Sequence, residues 1–208
     1  MDWSFRENWD ELTWTREIRK DEVRIAGYFR TLPACLDLPG EDEMIFKRLM
    51  SQPEMVPTGV SDPVKMLRSE FEISSEEFEE EEEMRRENRR RNNFNAVRRV
   101  EKMAAEWNIA AAGMPAEKSR DVLKVVCAFG KVLSRLYNFE DTEDSNDTLP
   151  LRRALLRYML ADVDELQNIL DEFKTAGNDF PEVENFTNPL AFVRESILDL
   201  SKTLQDNQ

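Results

Sequence analysis

Any chemistry in this chain must come from carboxylates, arginines and two thiols, because its 208 residues include no histidine. Histidine is the usual general base at neutral pH, the commonest metal ligand and the partner in Ser-His and Cys-His dyads. Cys35 and Cys127 cannot supply the four or so ligands of a structural zinc site, and the Glu-x-x-His pairs of a di-iron bundle are missing with the histidines. Neither a Gly-x-Gly-x-x-Gly nor a Gly-x-x-x-x-Gly-Lys loop is present to cradle phosphate. Asp162-Val-Asp-Glu could hold Mg²⁺ in principle. On a helix, however, Asp162 and Glu165 are neighbours one turn apart, which is also how a solvated face reads. The acidic run from Glu140 to Asp147 lacks the glycine and the terminal bidentate glutamate of a calcium loop. The expectation is a protein without an enzymatic site, a cofactor, a metal or an evident small-molecule substrate.

The strongest chemical signal is a charge reversal between Glu70 and Lys102. Residues 70–83 hold nine acids and no base, whereas residues 84–103 hold eight bases and two acids. The bases are Arg85, Arg86, Arg89, Arg90, Arg91, Arg98 and Arg99, with Lys102 the single lysine. Arginine makes planar, two-pronged contacts with carboxylate and phosphate and stacks on aromatic faces, so this stretch is a candidate contact surface. Three readings are open. Glutamates one turn upstream can pair with the arginines (Glu81 with Arg85, Glu82 with Arg86), leaving a solvated helix that needs no partner. An acidic face on another protein could take the arginines. An RNA groove could also accept them, as it accepts other arginine-rich helices that fold on contact; the adjacent glutamates argue against this by competing for the arginines at high effective concentration. Ser74, with Glu77 three residues on, has the form of an acid-directed phosphorylation site, and a phosphate there would add about two negative charges beside the arginines.

A second candidate surface lies at the N-terminus. Trp3, Phe5, Trp9 and Trp14 crowd the first residues, and Phe5, Trp9 and Leu12 share one helical face. Trp3, Phe5, Trp9, Leu12 and Trp14 are therefore candidates for partner contact. The same spacing also suits an amphipathic helix that packs on the rest of the chain.

These surfaces require helices to carry them. Six Gly and nine Pro are few for an all-β chain, and Glu, Arg, Leu and Ala are good helix formers. Residues 1–32 read as an aromatic-rich helical arm, and residues 33–63 as a Pro/Gly-rich linker with a short helix from Glu41 to Met50. Residues 64–91 read as a charged segment, partly disordered or a solvated helix, because the apolar pattern almost vanishes between Phe78 and Phe94. Residues 92–204 read as an antiparallel bundle of about four helices. One starts near Asn92, a second covers 115–138, a third follows Thr148, and the last is capped by Asn188 with Pro189 in its first turn. Cys127 falls in the apolar stripe of the second and reads as a small core residue. The fold class expected is all-α.

A net charge of −14 repels nucleic acid and anionic membranes at long range, so RNA contact must be local to the arginines. No apolar window approaches the roughly 18 residues of a membrane span. The N-terminus lacks the apolar core of a signal peptide, and two distant cysteines suit reduced thiols. Together these point to an intracellular protein, cytoplasmic or nuclear, that works as an interaction or adaptor subunit, with an RNA-binding regulator as the alternative.

Overall fold

The computed structural model describes residues 9–35, 38–59, 75–92, 94–175 and 183–206. Every regular element among them is helical. The helices are α1 (Glu11–Cys35), α2 (Glu41–Met50), α3 (Ser75–Asn92), α4 (Asn95–Ala111), α5 (Ser119–Asp141), α6 (Leu149–Thr175) and α7 (Glu184–Asp206), with short 3₁₀ turns at Pro53–Met55 and Ala116–Lys118. The fold is all-α, as its composition and periodicity predict. The chain divides into two compact units, residues 1–83 and 84–208, and the boundary falls where glutamate gives way to arginine.

In the first unit α1 packs on α2 and on the 3₁₀ turn. Ile45, Leu49, Met50 and Met55 form a small core against Tyr28, Leu32, Cys35 and Phe46. The stretch read as a linker therefore contributes half of a packed pair. Two glycines permit this. Gly40, at φ 70°, turns the chain into α2 through a left-handed conformation. Gly27 lets α2 approach α1, since a Cβ there would lie 2.8 Å from Leu49 Cδ2. α1 also runs two residues beyond Pro33, which costs only one hydrogen bond in its final turn.

A polar knot completes the unit. Glu17 is buried, at 3% exposure. It accepts bonds from Arg24 Nη2 at 2.5 Å and from the Thr58 backbone N–H at 3.1 Å. Arg24 Nε donates to the Met55 carbonyl at 2.6 Å, and Lys20 Nζ reaches the Val56 carbonyl and Thr58 Oγ1. Burial works to raise the Glu17 carboxyl, but the bonds from Arg24 and Thr58 and the Arg24 charge outweigh it and hold the group below the ordinary glutamate value.

The second unit contains a four-helix bundle. α4 packs on α5, α5 on α6, α6 on α7, and α7 returns to α4. Neighbours run antiparallel. Lys131 meets Glu165 while Arg135 meets Asp162 across α5 and α6; Arg194 meets Asp164 while Arg153 Nη2 meets the Leu204 carbonyl across α6 and α7. Each helix contributes one ring to an aromatic centre: Trp107 lies edge-on to Phe173 at 5.1 Å and to Phe186 at 5.5 Å, and Phe186 faces Phe129 at 6.3 Å. Fully buried Val100, Val132, Leu136, Leu166, Leu170, Val193 and Ile197 extend this core along the bundle.

Three local expectations are revised. α7 begins at Glu184 rather than at Asn188, so Pro189 stands inside it. Phe186 N–H bonds the Val183 carbonyl at 3.0 Å, and the burial of Val183 and Phe186 against the aromatic centre outweighs the helix bond that proline cannot make. Cys127 is exposed rather than in the core, because α5 turns Val125, Ala128 and Phe129 inward instead. The arginine stretch is also a helix of its own: α3 ends at Asn92 and α4 starts at Asn95, with Phe94 extended between them (φ −81°, ψ 107°). No helix among the described residues is long and apolar enough to cross a membrane.

Candidate functional site

The C-terminus of α5 ends in two acids, Glu140 and Asp141. Carboxylates are disfavoured at that end, where backbone carbonyls already point out unsatisfied and the helix dipole is negative. The arginine stretch answers both problems. Asn88, the buried uncharged residue among the arginines, donates from Nδ2 to the Asp141 carbonyl at 2.8 Å. Arg89 grips the Asp141 carboxylate with both prongs, Nε to Oδ1 at 2.5 Å and Nη2 to Oδ2 at 2.9 Å. Its guanidinium also lies 5.4 Å from the centre of the Tyr137 ring. The bond to Asp141 stabilises the charged guanidinium further, against the effect of partial burial. The Phe94 N–H, exposed by the break between α3 and α4, donates to Glu140 Oε1 at 3.0 Å.

Glu140 is sealed in at 7% exposure. Burial pushes its carboxyl above the ordinary range, and the Phe94 N–H and the Arg89 charge offset only part of the rise. The Tyr137 hydroxyl donates to Glu101 Oε1, and that bond pushes the phenol up to about 12. A turn further along α4, Arg99 stacks over the Phe192 ring of α7 with its guanidinium carbon 3.9 Å from the centroid.

The arginines therefore have two roles. Arg89 and Arg99 contact the bundle while remaining exposed themselves. Arg85, Arg86 and Arg90 are exposed on α3, and Arg98 is exposed on α4. Neither Arg90 nor Arg98 forms an ion pair with a described residue. At 100° per residue, Arg85, Arg86, Arg89 and Arg90 fall within an arc of about 140°, so the exposed ones share a side with the anchoring Arg89. The side chain of Arg91 lies outside the described residues, as do Ser74, Trp3 and Phe5. Of the other N-terminal candidates, Trp9 is buried and lies edge-on to Trp14 at 4.8 Å, Trp14 is half-buried, and Leu12 is 62% exposed.

The Asp162 and Glu165 pair is committed to cations. Asp162, at 3% exposure, meets Lys131 Nζ at 2.8 Å and Arg135 Nε at 3.3 Å, and Glu165 meets the same ammonium at 2.8 Å. Two carboxylates hold that lysine firmly protonated, against its partial burial. Among the described residues no group of three or more His, Cys, Asp or Glu side chains is placed to hold a metal.

The sequence assigns no role to Asn88 or Tyr137, and it presents Glu140 and Asp141 only as the start of an acidic run. A weak signal was present: one Asn interrupts the arginines, and two acids stand where a periodic helix ends. Nothing in the sequence pairs these two features across some fifty residues. The chain matches no family model, no curated protein and no solved structure.

Proposed function

We propose that the chain is a non-enzymatic helical interaction protein, a subunit or adaptor of a larger assembly, that meets acidic protein partners through the arginine face at 85–99. The N-terminal aromatic segment is its second contact, with Leu12, Ile25 and Phe29 among its open apolar positions. One observation carries this reading: Arg89, Arg99 and Asn88 contact the bundle, while Arg90 and Arg98 are exposed and form no ion pair with a described residue. An anchored helix end presents its guanidiniums already ordered, which lowers the entropy a partner's carboxylates must overcome.

The RNA-binding alternative is less favoured by the same geometry. A phosphate backbone gains affinity by contacting many cations along its length. Asp141 and Phe192 occupy Arg89 and Arg99 and shorten that run.

The test uses a variant with Arg85, Arg86, Arg90 and Arg98 changed to Ala, which keeps both anchoring arginines. Fluorescence anisotropy with single-stranded RNA is titrated across salt from about 0.1 M, and affinity purification with quantitative mass spectrometry is run in parallel. The expected result is no RNA binding and the loss of a stoichiometric protein partner in the variant. Sub-micromolar RNA binding with a steep salt slope, abolished by the variant, would establish the RNA-binding regulator instead. An unchanged set of partners and no RNA binding would reduce the arginines to a solvated surface.

A further inference from the structure

The end of α3 docks on the bundle through polar contacts. Residues 85–92 contain no apolar side chain, and Met84 before them is 62% exposed. Among the described side chains from Met84 to Arg90, Asn88 is the one that is buried. Within the second unit the backbone of this stretch packs on no described helix. Apolar contact begins at Phe94, which is half-buried and tilts against the buried Phe139 with 6.1 Å between ring centroids. A segment with nothing apolar to bury has no hydrophobic term to hold it down.

The docking contacts are polar and partly exposed. Asn88 holds the Asp141 carbonyl, and Arg89 holds the Asp141 carboxylate and lies beside the Tyr137 ring. Water can replace either partner of such a bond, so its net worth is small. The Arg89 side chain is 45% exposed and that of Asp141 20%, within reach of screening by salt. The receiving end gains from the contact as well, since Arg89 brings a cation to the place where Glu101, Glu140 and Asp141 gather.

We propose that the end of α3 is a reversible latch. Asn88 and Arg89 close on Asp141, the contact opens ahead of Phe94 without unfolding the bundle, and closure fixes the direction in which Arg85, Arg86 and Arg90 face. The latch itself needs no partner; its effect on binding rests on the reading of the arginine face as a contact for acidic proteins. Asn88 is then a positioning residue. Asn88→Ala removes a docking bond and leaves every charge in place, so it separates positioning from electrostatic attraction.

Hydrogen exchange is measured at the 85–92 amides and at the α5 and α6 amides in the full-length parent, Asn88→Ala and Asp141→Ala. Affinity for a fluorescent poly-glutamate peptide is measured with the parent and Asn88→Ala at about 0.1 M salt. Both variants should speed exchange at 85–92 about tenfold, the factor for the loss of one hydrogen bond, and leave α5 and α6 as they were. Asn88→Ala should bind the peptide about fivefold more weakly, because the face is no longer held in one orientation. Exchange at 85–92 that is unchanged in either variant would overturn the latch. So would exchange that rises equally through α5 and α6, since the contact would then belong to the stability of the bundle itself. Faster exchange with undiminished peptide binding by Asn88→Ala would overturn the positioning role. Faster exchange in both variants, with no binding of the peptide by the parent near 1 mM, would uphold the latch and remove the reading of the arginine face.

Discussion

Glu17 in the first unit and Glu140 in the second are both glutamates closed off from water, yet their surroundings move them in opposite directions. Burial works to raise both carboxyls. Glu17 also receives the Arg24 guanidinium and the Thr58 N–H, with Lys20 Nζ 3.4 Å away, and it ends below the ordinary value. Glu140 receives the Phe94 N–H and the charge of Arg89, with the acids Asp141 and Glu101 acting against them, and it ends above it. Burial alone thus does not decide the charge of a carboxylate; the bonds and charges around it do. The two also do different work. Glu17 closes the contact between α1 and the 53–58 turn, where the apolar core is small. Glu140 steadies the start of a helix on a bundle that already has a large aromatic core.

Substitution of the two glutamates separates these roles. Glu17→Ala leaves Arg24 partly buried without its main partner, and removal of one member of such a pair costs about 3 kcal/mol. Hydrogen-exchange protection of the α1 amides should fall accordingly, while the bundle amides keep theirs. If the α1 amides stay protected, the apolar contacts alone hold the unit. Glu140→Ala orphans one N–H and should cost about 1–2 kcal/mol, read at the α4 amides. Glu140→Gln keeps an acceptor for Phe94 and removes the buried charge, so its effect should be near zero or stabilising. A loss as large as that of the alanine variant would mean that the charge itself, through Arg89, holds the junction.

The pH responses should run in opposite senses. The folded pKa of Glu17 lies below its unfolded value near 4.5, so its contribution is complete above that value and is lost as pH falls through the folded pKa. The folded pKa of Glu140 lies above its unfolded value, so its contribution is complete below 4.5 and is lost as pH rises through the folded pKa. Each is measured as the difference between parent and Gln variant in amide protection across pH 3–7. Matching signs for the two sites would break the comparison.

The smallest contrast comes from two helix glycines. A Cβ at Gly130 meets nothing within 4 Å, so Gly130→Ala should add about 1 kcal/mol to the bundle through helix propensity alone. A Cβ at Gly27 meets Leu49 Cδ2 at 2.8 Å. The same propensity gain of about 1 kcal/mol is then offset by displacing that leucine, and Gly27→Ala should leave thermal stability nearly unchanged. Equal gains at both positions would show that the contact between α1 and α2 yields freely.

Helix identity and the seam of each bundle helix are legible in the sequence, because an apolar residue every three or four positions reports burial directly. Where periodicity is interrupted the reading is weaker. Pro189 looks like a helix start, but it lies inside α7 because Phe186 reaches Trp107 and Phe129, contacts between residues distant in sequence. Cys127 looks like core because it neighbours valines, yet the rotation of α5 about its axis is set by which face meets α4 and α6.

The arginine stretch shows the same division. By itself the sequence determined that a dense, mostly arginine patch follows a glutamate run, and that it has no apolar face to bury, because charge and hydrophobicity are properties of the residues. Only the tertiary structure decided which arginines contact the bundle. That choice depends on the end of α5 arriving beside Asn88 and Arg89, and on α7 bringing Phe192 beneath Arg99. Pairings across fifty to ninety residues follow from how helices pack, and local composition carries no record of them.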